Sequence, residues 1–334
     1  MLDSKKKNRV KTITFFGLLL VILTGLSVAL SGYAGKHSEL VKDRNRALTG
    51  LGEEPDHTID LLVIGDSECY TTVSPMDLWK DHGITAYLGG QSGQKIQESY
   101  YMLKTALETQ KPKLVMMETN VLYRSADKPD ALQDILYEAG QHYFPVFRYH
   151  DMWKTLLPGT KAGETDYKGY VPRTNVQPYT GNRSYMARTE EAVPVRGKTV
   201  RYYMDEILRI CREEGIAFML YSGPSPVNYN YKKHNGLAAY AKEQKIPYLD
   251  LNLKQKELGI DWQMDTVDKG DHLNLTGARK VTRYLGNYLK ENYELPDHRE
   301  EQSYREWNAE ADRFFAAIGQ TKETKGLPAT DPDR

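Results

Sequence analysis

A four-residue apolar run, Leu61-Leu62-Val63-Ile64, stops abruptly at Gly65-Asp66-Ser67 and gives way to Glu68-Cys69-Tyr70. A run this short, bounded by glycine, fits a strand buried on both faces, which is the usual state of strands in helix-covered parallel sheets. Open α/β sheets carry their chemistry outside the carboxyl ends of the strands, where Ser67 would stand as the next helix begins. There its Oγ suits a nucleophile and its N–H an oxyanion donor. The competing role for the same serine is that of a helix N-cap.

The rest of the chain repeats this rhythm. Strand-like runs at 83–88, 114–117, 217–221 and 247–251 alternate with helical patterns at 95–110, 198–214, 231–244 and 276–292. Alternation of this kind predicts a parallel sheet of five strands between helical layers. The loop Gly89-Gly90-Gln91-Ser92-Gly93-Gln94 lacks the G-x-G-x-x-G spacing of a dinucleotide site, so no nucleotide cofactor is expected.

A serine hydroxyl needs a base, and the complement lies two hundred residues away in Asp268-Lys269-Gly270-Asp271-His272, just ahead of the last α/β helix. Strand-GDS near the start, a glycine after the second strand, an asparagine after the third and this Asp-His segment together resemble the SGNH/GDSL hydrolase superfamily. The likeness spans residues 58–295. It implies a three-layer α/β/α, flavodoxin-like fold with a five-stranded, mostly parallel sheet. It also implies a serine esterase or acyltransferase with Ser67 as nucleophile, His272 as base, and Ser67, Gly93 and Asn120 as oxyanion donors.

Two departures from the family pattern matter. The third block keeps only Asn120 of the usual Gly-x-Asn-Asp, with Val121 in place of the aspartate. In the last block the family's aspartate three before the histidine is Lys269. Asp268 is expected to orient the imidazole through a loop one residue longer, because adjacent side chains seldom fold back to meet. Asp271 is the alternative.

A calcium site built from Asp261, Asp265, Asp268 and Asp271 competes with this reading, but no metal is expected, since only Gly270 suits wrapping an ion. Cys69 and Cys211 are the only cysteines and are expected as unpaired, buried thiols. Lysine plus arginine and aspartate plus glutamate are balanced at 45 each, which gives no argument for nucleic acid.

The amino terminus tells where the protein works. Residues 1–11 carry Lys5, Lys6, Lys7, Arg9 and Lys11, followed by eighteen uncharged residues from Ile13 to Leu30. At about 1.5 Å each these reach about 27 Å, close to a bilayer core. The basic flank places residues 1–11 in the cytoplasm, with a signal anchor over 12–34 and the body of the chain outside. A signal peptide cleaved near Gly32-Tyr33-Ala34 competes, although its apolar core usually runs shorter.

Residues 35–57 read as a stalk with some helix, and 123–198 as a long, aromatic, loop-like insertion or lid. Its tyrosines and Trp153 suit sugar rings, or else pack on themselves or face a membrane partner. His142 and His150 within it read as structural. Residues 296–334 are expected to form a helix that packs back through Tyr304, Trp307, Phe314 and Phe315, then a loose tail from Thr321.

An outward-facing, anchored member of this superfamily resembles those that work beside membrane-bound O-acyltransferases on exported glycans. The expected partners are therefore an acylated glycan or acyl donor, the membrane and such an acyltransferase. The alternative from another class is a surface protein that keeps the fold to bind glycan or scaffold an export complex.

Overall fold

The computed structural model describes residues 2–124, 131–157, 159 and 166–324. In chain order these form α1 (Leu2–Lys36), α2 (Asp43–Leu51), β1 (Leu61–Gly65), α3 (Ser67–Thr72), α4 (Pro75–His82), β2 (Ala86–Gly90), α5 (Ile96–Thr109), β3 (Leu114–Glu118) and α6 (Val121–Arg124). Then follow α7 (Ala131–Tyr143), α8 (Val146–Tyr149), α9 (Lys198–Glu213), β4 (Ala217–Ser222), α10 (Tyr231–Gln244), β5 (Tyr248–Asp250), α11 (Gln255–Leu258), α12 (Leu275–Asn292) and α13 (Arg305–Thr324).

The five strands make one parallel sheet in the order β2-β1-β3-β4-β5. β1 lies between β2 and β3, and Leu61 to Ile64 are buried on both faces, as a continuous apolar strand requires. The order changes direction beside β1, so the crevice at its carboxyl end is the topological switch point of the sheet. β2 starts at Ala86 rather than at 83. Gly83 instead ends α4 in the left-handed region (φ +67°), its N–H bonded to Trp79 O at 2.8 Å.

Residues 43–51, expected within a stalk, form α2 against the β2 edge. Leu51 is fully buried, and the Tyr87 hydroxyl donates to Ala47 O at 2.8 Å. The insertion is helical over its first part, where a loop was expected. α7 turns Ile135, Glu138, Gln141 and His142 toward α5, with the His142 ring 4.7 Å from that of Tyr101. Those residues recur at helical spacing, but three of the four are polar, so the buried face does not read as apolar. Residues 166–197 are irregular apart from a bridge between Tyr167 and Tyr170.

α1 is long and apolar enough to cross a membrane, and most of its apolar side chains are exposed. Its carboxyl-terminal end is clamped to the insertion. The Val146 N–H donates to Ser27 Oγ at 3.1 Å, the Tyr33 and Thr155 hydroxyls meet at 3.1 Å, and Ala34 packs with Val41, Tyr149 and Met152. At the other terminus α13 packs on α4, with the Trp307 and Trp79 rings 5.3 Å apart and Phe314 fully buried. The loose tail expected from Thr321 falls mostly outside the described residues, and α13 itself runs to Thr324.

Candidate active site

β1 delivers Asp66 and Ser67 to the carboxyl rim of the sheet. Asp66, not Ser67, is the N-cap of α3, accepting the Glu68 N–H at 3.0 Å, which leaves the serine hydroxyl free for another partner. That partner is His272, whose Nε2 lies 2.8 Å from Ser67 Oγ. The opposite ring nitrogen, Nδ1, is 2.5 Å from Asp268 Oδ2, and the other oxygen of that carboxylate accepts the His272 backbone N–H at 2.7 Å. With Nδ1–H donated to Asp268, Nε2 is the free lone pair that accepts from the serine.

The Asp268-to-His272 spacing has a local cause. Thr266 and Leu273 form an antiparallel bridge, and Val267 N–H donates to His272 O at 3.1 Å. Between them Lys269 (φ +63°) and Gly270 (φ +90°) both take left-handed backbone, and Gly270 N–H donates to Thr266 Oγ1 at 2.7 Å. This tight reversal folds Asp268 back over the imidazole. Asp271 Oδ2 is 3.9 Å from Nδ1, beyond hydrogen-bond reach. Burial opposes ionisation of Asp268, yet the hydrogen bonds from His272, with the charges of His272 and Arg173, hold its carboxyl below the ordinary value.

Of the other expected site residues, Gly93 follows β2 in left-handed backbone (φ +64°) with open space where a side chain would be. Asn120 follows β3 and donates its amide to Asp66 Oδ2 at 2.8 Å. Cys69 turns inward, its thiol 3.4 Å from Val63 O and pushed up by burial, so it takes no part at the rim. Cys211 is likewise free and buried.

A group of buried acids beneath the serine is not foreshadowed in the sequence. Asp66, Glu68 and Glu118 are all fully buried. Arg124 and Asn120 share Asp66 Oδ2, while Glu118 accepts the Tyr229 hydroxyl and the Asn120 N–H, the latter at 2.8 Å. Burial first, then the neighbouring carboxylates, pushes Glu118 and Glu68 well above the ordinary carboxylate range. The one available signal is Glu118 itself, which stands where the resembled family carries glycine.

The acidic loop does not gather as a calcium cage. Asp265 is taken by Lys280 Nζ and the Asp261 N–H, both at 2.7 Å, and Asp268 by His272. Among the described residues, metal-capable atoms of Glu68, Asp271 and His272 do come within 4.8 Å of one another. Asn228 Nδ2 bridges those two carboxylates, at 2.6 Å to Asp271, and Ser67 occupies the imidazole, while the second Glu68 oxygen, Oε2, is buried without a hydrogen-bond partner among the described residues.

Of the insertion's aromatics, Tyr170 packs on Phe314, and Tyr185 donates its hydroxyl to Asn252 Oδ1 at 3.0 Å. Burial pushes the His142 imidazole down to about 4, so it sits as a neutral packing ring.

A serine hydroxyl bonded to an imidazole that a carboxylate orients, at the switch point of a parallel α/β sheet, defines the class of arrangement that can perform nucleophilic acyl chemistry. No family model matches the chain, and no curated protein matches it. Among solved structures it is similar to a GDSL-like lipase from Bacteroides thetaiotaomicron (12% identity, 75% of this chain and 98% of that one, TM-score 0.39). It is also similar to TesA (16%, 69% and 98%, TM-score 0.37) and to an acetyl xylan esterase (14%, 69% and 99%, TM-score 0.35). Likenesses this distant leave function to the geometry of the site itself.

Proposed function

We propose that the protein is an extracytoplasmic serine esterase or O-acyltransferase of SGNH type, held at the membrane by residues 12–34. It would remove acyl groups, acetyl foremost, from cell-envelope or exported polysaccharide, or move them onto it. The observation that carries this reading is the hydrogen-bonded line from Ser67 Oγ through His272 to Asp268, at 2.8 and 2.5 Å.

On this reading Ser67 Oγ attacks the ester carbonyl while its proton passes to His272 Nε2, and Asp268 stabilises the imidazolium. The N–H groups of Ser67 and Gly93 and the Asn120 amide receive the oxyanion, each such donor being worth roughly 2.7–4 kcal/mol of barrier. The leaving alkoxide takes the proton back from His272, which leaves an acyl-serine. Water then makes the protein an esterase, and a sugar hydroxyl makes it a transferase. A membrane-bound O-acyltransferase supplying acyl groups across the bilayer is the expected partner, and the chemistry calls for no cofactor.

The second reading, a glycan-binding or scaffolding protein with impaired catalysis, draws on Asn120, whose amide is engaged by Asp66. A fluorophosphonate probe separates the two. The enzyme is labelled and the Ser67→Ala variant is not, whereas absence of labelling in the unaltered protein sinks the catalytic reading. Acetate released to water, against acetyl found on an added oligosaccharide, then divides esterase from transferase.

A further inference from the structure

A cavity of about 520 Å³ lies between the β2–α5 loop and the irregular part of the insertion, lined in part by Arg44, Arg46, Tyr70, Ser92, Asp166 and Arg173. Tyr70 stands three residues beyond Ser67, on the same face of α3, so the cavity opens one helical turn from the nucleophile. Its far wall is tied to the histidine loop, since Arg173 O accepts the N–H of Leu275, three residues past His272, at 2.7 Å.

Three guanidinium groups face this space, and their partners differ. Arg44 is paired with the buried Glu98 and also donates to Ser92 O at 3.0 Å. Arg46 is paired with Asp166 at 3.0 Å. Arg173 forms no ion pair with a carboxylate among the described residues, and its guanidinium rests over the Tyr70 ring, 5.6 Å from the centroid. Of the three, Arg173 alone is left without a carboxylate partner, and it sits on a flat aromatic platform. A forked, half-buried guanidinium with no carboxylate partner suits an incoming oxyanion of carboxylate or phosphate geometry.

We propose that this cavity is a subsite for a negatively charged group on the substrate, with Arg173 its principal contact, so that the preferred ester is borne by an anionic glycan rather than a neutral one. This deepens the hydrolase or transferase reading above and rests on it for the chemistry, though not for the binding. The charge could be a uronic carboxylate or a phosphate ester, which present the same oxyanion fork.

Three monoacetates with the same ring and acetyl position test it on the full chain in detergent: methyl glucoside, methyl glucuronide and methyl glucoside 6-phosphate. We expect kcat/KM for at least one anionic ester to exceed the neutral one by about tenfold, the scale of one charge-assisted contact. Which anion is preferred identifies its source. Arg173→Gln should erase the preference and Arg173→Lys should keep part of it. A fall of equal size for all three esters overturns the proposal, because Arg173 would then act only through Asp268. A preference that survives Arg173→Gln overturns it as well.

A binding arm needs no turnover: calorimetric titration of Ser67→Ala protein with trigalacturonate and with maltotriose. Tighter binding of the acidic trimer, lost in Ser67→Ala/Arg173→Gln, supports the subsite, and equal binding of the two sinks it. Failure of fluorophosphonate labelling would remove the catalytic reading while leaving this arm to decide the subsite.

Discussion

Gly65 and Glu118 approach so closely across β1 and β3 that a methyl group on the glycine would lie 2.6 Å from Glu118 Cβ. A glycine at the end of β1 is thus what admits a large acid beneath the serine. Its carboxyl is fully buried, and burial followed by the Asp66 charge raises it well above 4.5. A folded-state pKa above the unfolded one means the folded protein holds the extra proton. Stability is then greatest below 4.5 and declines as pH climbs toward the folded value. Glu118→Gln, which has no proton to lose, should flatten the fall of melting temperature between mildly acidic and neutral pH. An unchanged slope would show that Glu118 does not carry it.

The choice between the two loop aspartates can be settled kinetically. Asp268→Asn should lower kcat by about 10⁴ while leaving the fold intact, the scale found when a triad carboxylate becomes an amide. Asp271→Asn should cost far less, since its carboxylate is 3.9 Å from the imidazole. Esterase assays of both variants check this, and the reverse order would reassign the orienting residue.

Lys168 joins three separate parts of the chain, pairing with Glu54 at 2.9 Å and Glu310 at 2.8 Å while lying 4.6 Å from the Trp307 ring centroid. Its side chain is only 10% exposed, so Lys168→Met strands two largely buried carboxylates. The expected loss is about 3 kcal/mol in urea denaturation. None of the three is bonded to Ser67, His272 or Asp268, so fluorophosphonate labelling of the folded variant should persist.

The proposed topology predicts opposite outcomes for two reporters. Alkaline phosphatase fused after residue 324 should be active in cells, whereas β-galactosidase at the same point should not. Active β-galactosidase there would place the domain in the cytoplasm.

Much of this site was legible in the sequence because it depends on local rules. A short apolar run ending in Gly65-Asp66-Ser67 can do little but deliver a side chain to a sheet rim. Asp268 could be preferred over Asp271 because neighbouring side chains diverge, and the left-handed pair Lys269 and Gly270 is how the backbone realises the longer loop. The acids under the serine were not legible, since Glu118 comes from a different strand than Asp66 and Glu68 and a buried carboxylate looks in sequence like a solvated one. The helix 131–143 was missed for a related reason: Glu138 and Gln141 occupy its buried face, so its apolar stripe is broken.

The grip of α8 on Ser27 and of Thr155 on Tyr33 has a mechanical corollary. If α1 spans a bilayer as proposed, so little slack between that helix and the sheet would keep the rim bearing Ser67 from swinging like a ball on a string. It would hold a fixed altitude above the lipid, and a polymer would have to be fed past that height to be modified.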